Sequence, residues 1–189
     1  MTGDRIGGVR ALVGLDGFVV GAHFHDGAQW WIAVETTAAV VGCEACGTRA
    51  VGQGRRRVRV RDLPIAGEPV TLVWAKRIWR CPDSDCPVGT WSEQTEAIAP
   101  RAVLTERARA EIARRVGPGC DSVAPVARSF GVSWHAAMEA VRDHARPRID
   151  HPSRLGAPAA IGLDETSFLA ASGTHPTLLL TGIVDLDTA

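Results

Sequence analysis

Cys43-Glu44-Ala45-Cys46 opens the stretch that decides this fold, and Cys81-Pro82-Asp83-Ser84-Asp85-Cys86 closes it after an interval of 34 residues. Two close thiol pairs of this kind read as the halves of one tetrahedral metal site. Each sits on a tight knuckle, marked by Gly47 in the first and by Pro82 and Pro87 in the second. Thiolates of this kind select zinc, which accepts four sulfurs with no geometric preference of its own. The interval should fold as a hairpin. Arg55 to Arg61 alternates Arg with Val58 and Val60, and Val70 to Trp79 is rich in β-branched and aromatic residues. Between them Leu63-Pro64-Ile65-Ala66-Gly67-Glu68-Pro69 is turn chemistry. The midpoint between Cys46 and Cys81 falls at Leu63 and Pro64, so antiparallel strands about that turn carry one thiol pair back to the other. The plainer alternatives are two unrelated thiol pairs or disulfides. No charged and apolar leader appears at Met1-Thr2-Gly3-Asp4-Arg5, so a secreted, oxidising setting is unsupported. Cys120, alone in Gly117-Pro118-Gly119-Cys120-Asp121, has no partner pattern and reads as inert.

The 189 residues allow one domain or several small ones, and a 46% apolar composition is enough to bury real cores. No apolar run nears the roughly 18 residues of a membrane span, so the expectation is a soluble, cytoplasmic chain. A formal net charge of zero hides a gradient. Residues 43–90 carry nine basic and five acidic side chains and 91–150 nine and eight, whereas 1–42 carry two and four and 151–189 one and four. Positive charge therefore gathers on the metal hairpin.

Residues 9–41 read as a β-rich lead-in that packs on the hairpin. Its short apolar runs are Ala11-Leu12-Val13 and Phe18-Val19-Val20, and Trp30-Trp31-Ile32-Ala33-Val34 forms a strand after the turn His25-Asp26-Gly27. His23 and His25 share a strand face, but two polar positions beside a turn are the simpler reading than a metal pair. On the hairpin, Val58 and Val60 facing inward would turn Arg57, Arg59 and Arg61 outward together. Arg55, Arg56, Lys76, Arg77 and Arg80 add charge, and a guanidinium row on a rigid ribbon is a phosphate-binding surface. An edge strand guarded by charge is the competing explanation.

After Trp91 the pattern turns helical. Leu104, Ala108, Ile112 and Val116 recur every four residues and predict a helix ending at Gly117-Pro118-Gly119. Ser122 caps a second helix with Pro125 in its first turn and Val123, Val126, Ala127 and Phe130 inward, ending at Gly131-Val132. Ser133 caps a third, Trp134 to about Ala145, with Ala137, Met138 and Val141 inward. This is a helix-turn-helix, whose second helix would present Ser133, Trp134, His135 and Arg142 to base edges and Arg128 to the backbone of double-stranded DNA. Residues 147–158 read as a linker. Two apolar strands follow, Ala159 to Phe168 and Thr177 to Val184, the first delivering Asp164 at its end. Such a pair matches the opening of an RNase H-like sheet, in which carboxylates hold Mg²⁺ for attack on a phosphodiester; a strand-end turn is the alternative for Asp164-Glu165. The expected class is thus multi-domain α+β: a β-rich zinc ribbon over 1–95, a helix-turn-helix over 96–146, the linker, and the start of an RNase H-like core over 159–189.

That order of parts resembles the ISL-three family of bacterial insertion-sequence transposases, which carry a DDE catalytic core. The resemblance rests on Leu12-Val13-Gly14-Leu15, the Cys43-Glu44-Ala45-Cys46-Gly47 knuckle, Arg61-Asp62-Leu63-Pro64-Ile65-Ala66-Gly67, Arg80-Cys81-Pro82 with Cys86-Pro87, Phe130-Gly131-Val132-Ser133 and Ile161-Gly162-Leu163-Asp164-Glu165-Thr166-Ser167. Val184-Asp185-Leu186-Asp187 is similar to the end of the following strand. The resemblance implies structural Zn²⁺ on Cys43, Cys46, Cys81 and Cys86, and a grip on transposon terminal inverted repeats by a nucleoid-associated homo-oligomer. It also implies a first catalytic Asp at Asp164, with Mg²⁺ in the complete core. The chain departs from the family where Ala170-Ala171-Ser172-Gly173-Thr174-His175-Pro176 replaces a basic and aromatic connection, and where Ala137 replaces a larger apolar residue. The second Asp and the final Glu of the triad have no counterpart before Ala189, so this chain by itself is expected to be inactive. The rival expectation is a stand-alone zinc-ribbon and helix-turn-helix DNA-binding protein acting as a repressor. A zinc ribbon that binds protein is a third.

Overall fold

In the computed structural model, which describes residues 14–37, 40–154 and 156–186, the interval between the thiol pairs forms a hairpin longer than expected. Strand β3 runs from Val51 to Ile65 and β4 from Glu68 to Arg80, paired antiparallel from Val51↔Arg80 to Ile65↔Glu68. The reversal takes two residues, Ala66 (φ 53°) and Gly67 (φ 83°), rather than the whole segment from Leu63 to Pro69. Two consecutive positive φ values twist the chain in the sense that right-handed strands require, so the short turn prevails. Pro64, which cannot donate to the ladder, falls within the irregularity between Asp62 and Ile65.

The lead-in does more than pack on this hairpin. Strand β1 (Phe18–His25) pairs antiparallel with β2 (Trp30–Thr36), and β2 pairs parallel with β4 from Trp30↔Val70 to Val34↔Trp74. With β5 (Thr90–Ser92) on the far end of β4, the order β1-β2-β4-β3 makes β4 an interior strand. Its unbroken run Val70-Thr71-Leu72-Val73-Trp74 carries the composition of a strand covered on both sides. One face of the sheet buries Phe18, Val20, Ile32, Val34, Val60, Leu72 and Trp74. The expected run Ala11-Leu12-Val13 lies outside the described residues, as does Asp187.

Three helices follow: α1 (Glu106–Val116), α2 (Val123–Phe130) and α3 (Trp134–Ile149). Their ends follow the sequence chemistry in part: Ser133 caps α3 as expected, Ser122 sits at the start of α2 without a side-chain cap hydrogen bond, and Thr105, not anticipated, caps α1. The Ala108 amide donates to Thr105 Oγ1 at 3.3 Å, Gly131 ends α2 in the left-handed region at φ 66°, and the Ala136 amide donates to Ser133 Oγ at 3.2 Å. Leu104, Ala108, Ile112, Val126, Ala127 and Phe130 close on Ala137 and Ala140. Ala140, not Met138, completes the inner face of α3; Met138 is half-buried. The helix also runs past Ala145, through Pro147, to Ile149.

Sheet and helices share the compact unit 1–145, and a second unit spans 146–189. In the first, residues 103–105 pair with the outer edge of β3: the Arg61 amide donates to Val103 O at 2.8 Å and the Thr105 amide to Arg61 O at 2.9 Å. Leu63 packs into the helical core. In the second, β6 (Ile161–Leu169) and β7 (Leu178–Asp185) form an antiparallel ribbon. Asp164 lies in the middle of β6, opposite Gly182, rather than at its end, because Thr166-Ser167-Phe168-Leu169 continue the strand.

Candidate metal centre and nucleic-acid interface

The four thiols converge. The sulfurs of Cys43, Cys46, Cys81 and Cys86 lie within 4.8 Å of one another, with Cys43 Sγ 3.7 Å from Cys86 Sγ and Cys46 Sγ 3.5 Å from Cys81 Sγ. Four sulfurs about 2.3 Å from one ion in a tetrahedron stand roughly 3.8 Å apart, so the cradle has the size that zinc requires. Backbone turns build it. The Gly47 amide donates to Cys43 O and the Cys43 amide to Thr48 O, both at 2.8 Å, while the Cys81 amide donates to Gly89 O at 3.0 Å. The thiols are inequivalent: the side chain and backbone of Thr48 bring Cys46 down to about 7, whereas burial pushes Cys81 up to about 12.

Strand parity sorts the basic residues. Arg55, Arg57 and Arg59 are exposed on the sheet face opposite the core, and Arg57 and Arg59 have no carboxylate within 4.0 Å among the described residues. Arg55 pairs with Glu35 at 3.2 Å. Arg61 lies in the same row but is half-buried, donating to Gln29 Oε1 and, at 2.6 Å, to Thr71 Oγ1. Arg77 donates from its backbone to Glu93 Oε1 at 2.7 Å and from its guanidinium to Thr36 Oγ1 at 3.2 Å. Lys76 is not part of an outward row with Arg57 and Arg59. It pairs with Arg56 on the opposite face, is 7% exposed, and holds its ammonium 4.6 Å from the Trp74 ring centroid. Burial lowers its pKa, and the charge of Arg56 adds to that effect. Arg56 itself is exposed.

In the helical part Arg128, Ser133, Trp134, His135 and Arg142 are all exposed, the last four on or just before α3. The turn that sets α3 touches the ribbon: a Cβ on Gly131 would stand 3.0 Å from the Arg61 guanidinium carbon and 3.1 Å from Pro69 Cβ. The arginine strand and the N-terminus of α3 therefore belong to one packed unit.

In the second unit Asp164 is exposed, with the Thr166 hydroxyl 3.4 Å from its Oδ2. Among the described residues no group of three metal-ligating side chains includes it, and none includes His23 or His25; His25 Nε2 instead meets Glu68 Oε2 at 2.8 Å.

Two features escaped the sequence reading. One is the outer-face pair Phe24 and Trp31, whose rings stand 6.2 Å apart with planes 9° from parallel. The other is Asp62, buried at the joint between ribbon and helices. Alternation along β2 could have found Trp31; nothing local marks Asp62.

Compared with known families, residues 39–86 match the zinc-finger of transposase IS204/IS1001/IS1096/IS1165, and residues 93–145 match the helix-turn-helix domain of transposase family ISL3. Together these segments cover just over half of the chain. No curated protein and no solved structure matches it.

Proposed function

Because the chain belongs to transposase family ISL3, we propose that its first unit is the N-terminal part of such an enzyme that grips double-stranded DNA at the terminal inverted repeats of the transposon. The supporting observation is the seam at Gly131, where the turn before α3 packs on Arg61 of the arginine strand. Phosphates held by Arg57 and Arg59 would fix the register of a duplex, while Ser133, Trp134, His135 and Arg142 would read base edges in the major groove. Arg55, Arg56 and Arg128 would supply further backbone contacts. Zinc, held by the four cysteines, supplies folding free energy that makes the ribbon rigid; about 10 kcal/mol or more is typical for structural zinc at neutral pH. Two such units in a nucleoid-associated homo-oligomer would hold two ends.

In this reading Asp164 is the first carboxylate of a DDE core with an RNase H-like fold, where it would help to hold Mg²⁺, which would supply charge stabilisation for phosphodiester cleavage. That core is complete only with carboxylates that do not join Asp164 among the described residues.

Selection of binding sites from a pool of random duplexes tests the reading. One enriched sequence is expected, its preference relaxed by His135→Ala at the affected position and its affinity lowered for every sequence by Arg57→Ala. A pool that remains random after selection contradicts sequence recognition.

A further inference from the structure

The outer face of the sheet carries, beside its arginines, an aromatic array that duplex binding does not use. Phe24 and Trp31 are direct partners across β1 and β2, with near-parallel rings. The Arg59 guanidinium lies 5.3 Å from the Trp31 ring centroid. Asp26 fixes the indole: Trp31 Nε1 donates to its Oδ2 at 2.7 Å, while the amides of Ala28 and Gln29 donate to its Oδ1, both at 2.9 Å. An indole N–H lies in the ring plane, so this carboxylate meets the edge of the ring and leaves its faces to Phe24 and the Arg59 guanidinium. Phe24 is 60% exposed and open to a ligand. With Arg57, Arg59 and Val73 these rings line a groove of about 510 Å³.

A groove that sets aromatic rings beside two arginines, neither within 4.0 Å of a carboxylate among the described residues, is complementary to a ligand that carries an aromatic plane and a negative charge on one short unit. A base pair inside a duplex offers its phosphates but hides its faces in the stack. An unpaired nucleotide offers both, and aromatic stacking combined with a cationic track is how sheets hold single strands. We propose that the Phe24, Trp31, Arg57 and Arg59 groove binds single-stranded DNA, stacking an unpaired base on Phe24 and Trp31 and holding its phosphate on the arginines.

The inference rests on the DNA-binding reading of the same arginine face, and the test separates the two. The zinc-loaded full chain is titrated, by fluorescence anisotropy, with a labelled oligothymidylate, with an abasic strand of equal length, and with a random duplex. The oligothymidylate is expected to bind at least fivefold more tightly than the abasic strand. Phe24→Ala should remove most of that difference while leaving duplex affinity within twofold. Because Phe24 is exposed, its truncation leaves the fold intact, which retained zinc content verifies. Equal affinity for the base-bearing and abasic strands, with duplex binding intact, overturns the single-strand groove alone. Loss of all three interactions overturns the DNA-binding reading with it.

Discussion

The Arg107 guanidinium clasps the Asp62 carboxylate with two donors, Nε to Oδ1 at 2.8 Å and an Nη to Oδ2, and so ties the first turn of α1 to β3. Thr105, the N-cap of that helix, donates its hydroxyl to the same Oδ1 at 2.6 Å, and Arg107 Nη1 donates to Gly14 O at 2.8 Å. Asp62 is 2% exposed. A carboxylate so buried is tolerable only because three donors face it, and those donors come from the helical part of the chain.

Removing the cation should therefore cost more than an ordinary surface ion pair. Arg107→Met leaves Asp62 buried with Thr105 alone, and a loss of about 3 kcal/mol is expected, the low end for breaking a buried pair because Arg107 is itself partly exposed. Urea denaturation measures it; a loss under about 1 kcal/mol, the scale of an exposed pair, contradicts the joint.

Cys81→Ser should abolish stoichiometric zinc binding and unfold the ribbon, since a three-sulfur site loses a ligand that is buried at the heart of the cradle. A colorimetric chelator assay and circular dichroism report the two effects. Full metal retention contradicts the ligand assignment.

Zinc loading should release protons, because the metal takes thiolates and Cys81, pushed up to about 12 by burial, holds its proton at neutral pH until metal arrives. Cys46, brought down to about 7 chiefly by Thr48, ionises first. Protons compete with metal, so occupancy against a fixed chelator is expected to fall as pH is lowered, and more steeply below about 7, where Cys46 also takes up a proton. Occupancy independent of pH contradicts thiolate ligation.

Gly131→Ala should destabilise the chain by about 1–3 kcal/mol, since its φ of 66° disfavours a side chain and its Cβ would crowd Arg61 and Pro69. Gly89→Ala is the control, with nothing within 4 Å of the added Cβ. Equal unfolding midpoints for the two variants contradict the packing at this turn.

Strand parity separates the basic residues. Changing Arg57 and Arg59 to Ala should reduce the salt slope of duplex binding by about 2. Lys76→Met should leave that slope unchanged, because its ammonium lies over Trp74 within the protein. A slope lowered by the Lys76 change contradicts this division.

The thiol spacing, the Ser133 cap and the αL turn at Gly131 were legible in the sequence because each is local chemistry at fixed offsets. Where the reading failed, the cause was partners distant along the chain. Insertion of β2 beside β4 depends on pairing Trp30 with Val70, which no turn signal announces. The hairpin centre moved from Pro64 to Ala66 and Gly67 because Ala66, which is not a turn signal, adopts positive φ. With the register fixed there, Lys76 fell opposite Arg56 on the core face. The joint at Asp62 needs Arg107 from another element, so Arg61-Asp62 read only as hairpin charge. Asp164 falls mid-strand because the ladder continues through Glu165 to Ser167 and the strand on to Leu169, one residue past the expected strand end.

The most direct test of the guanidinium face is one titration: affinity of the zinc-loaded chain for random duplex DNA as salt is raised. A guanidinium face bound to phosphates predicts that the logarithm of the binding constant falls linearly with the logarithm of salt, by about 0.9 per phosphate neutralised. Absence of binding at low salt, or an affinity indifferent to salt, would contradict it.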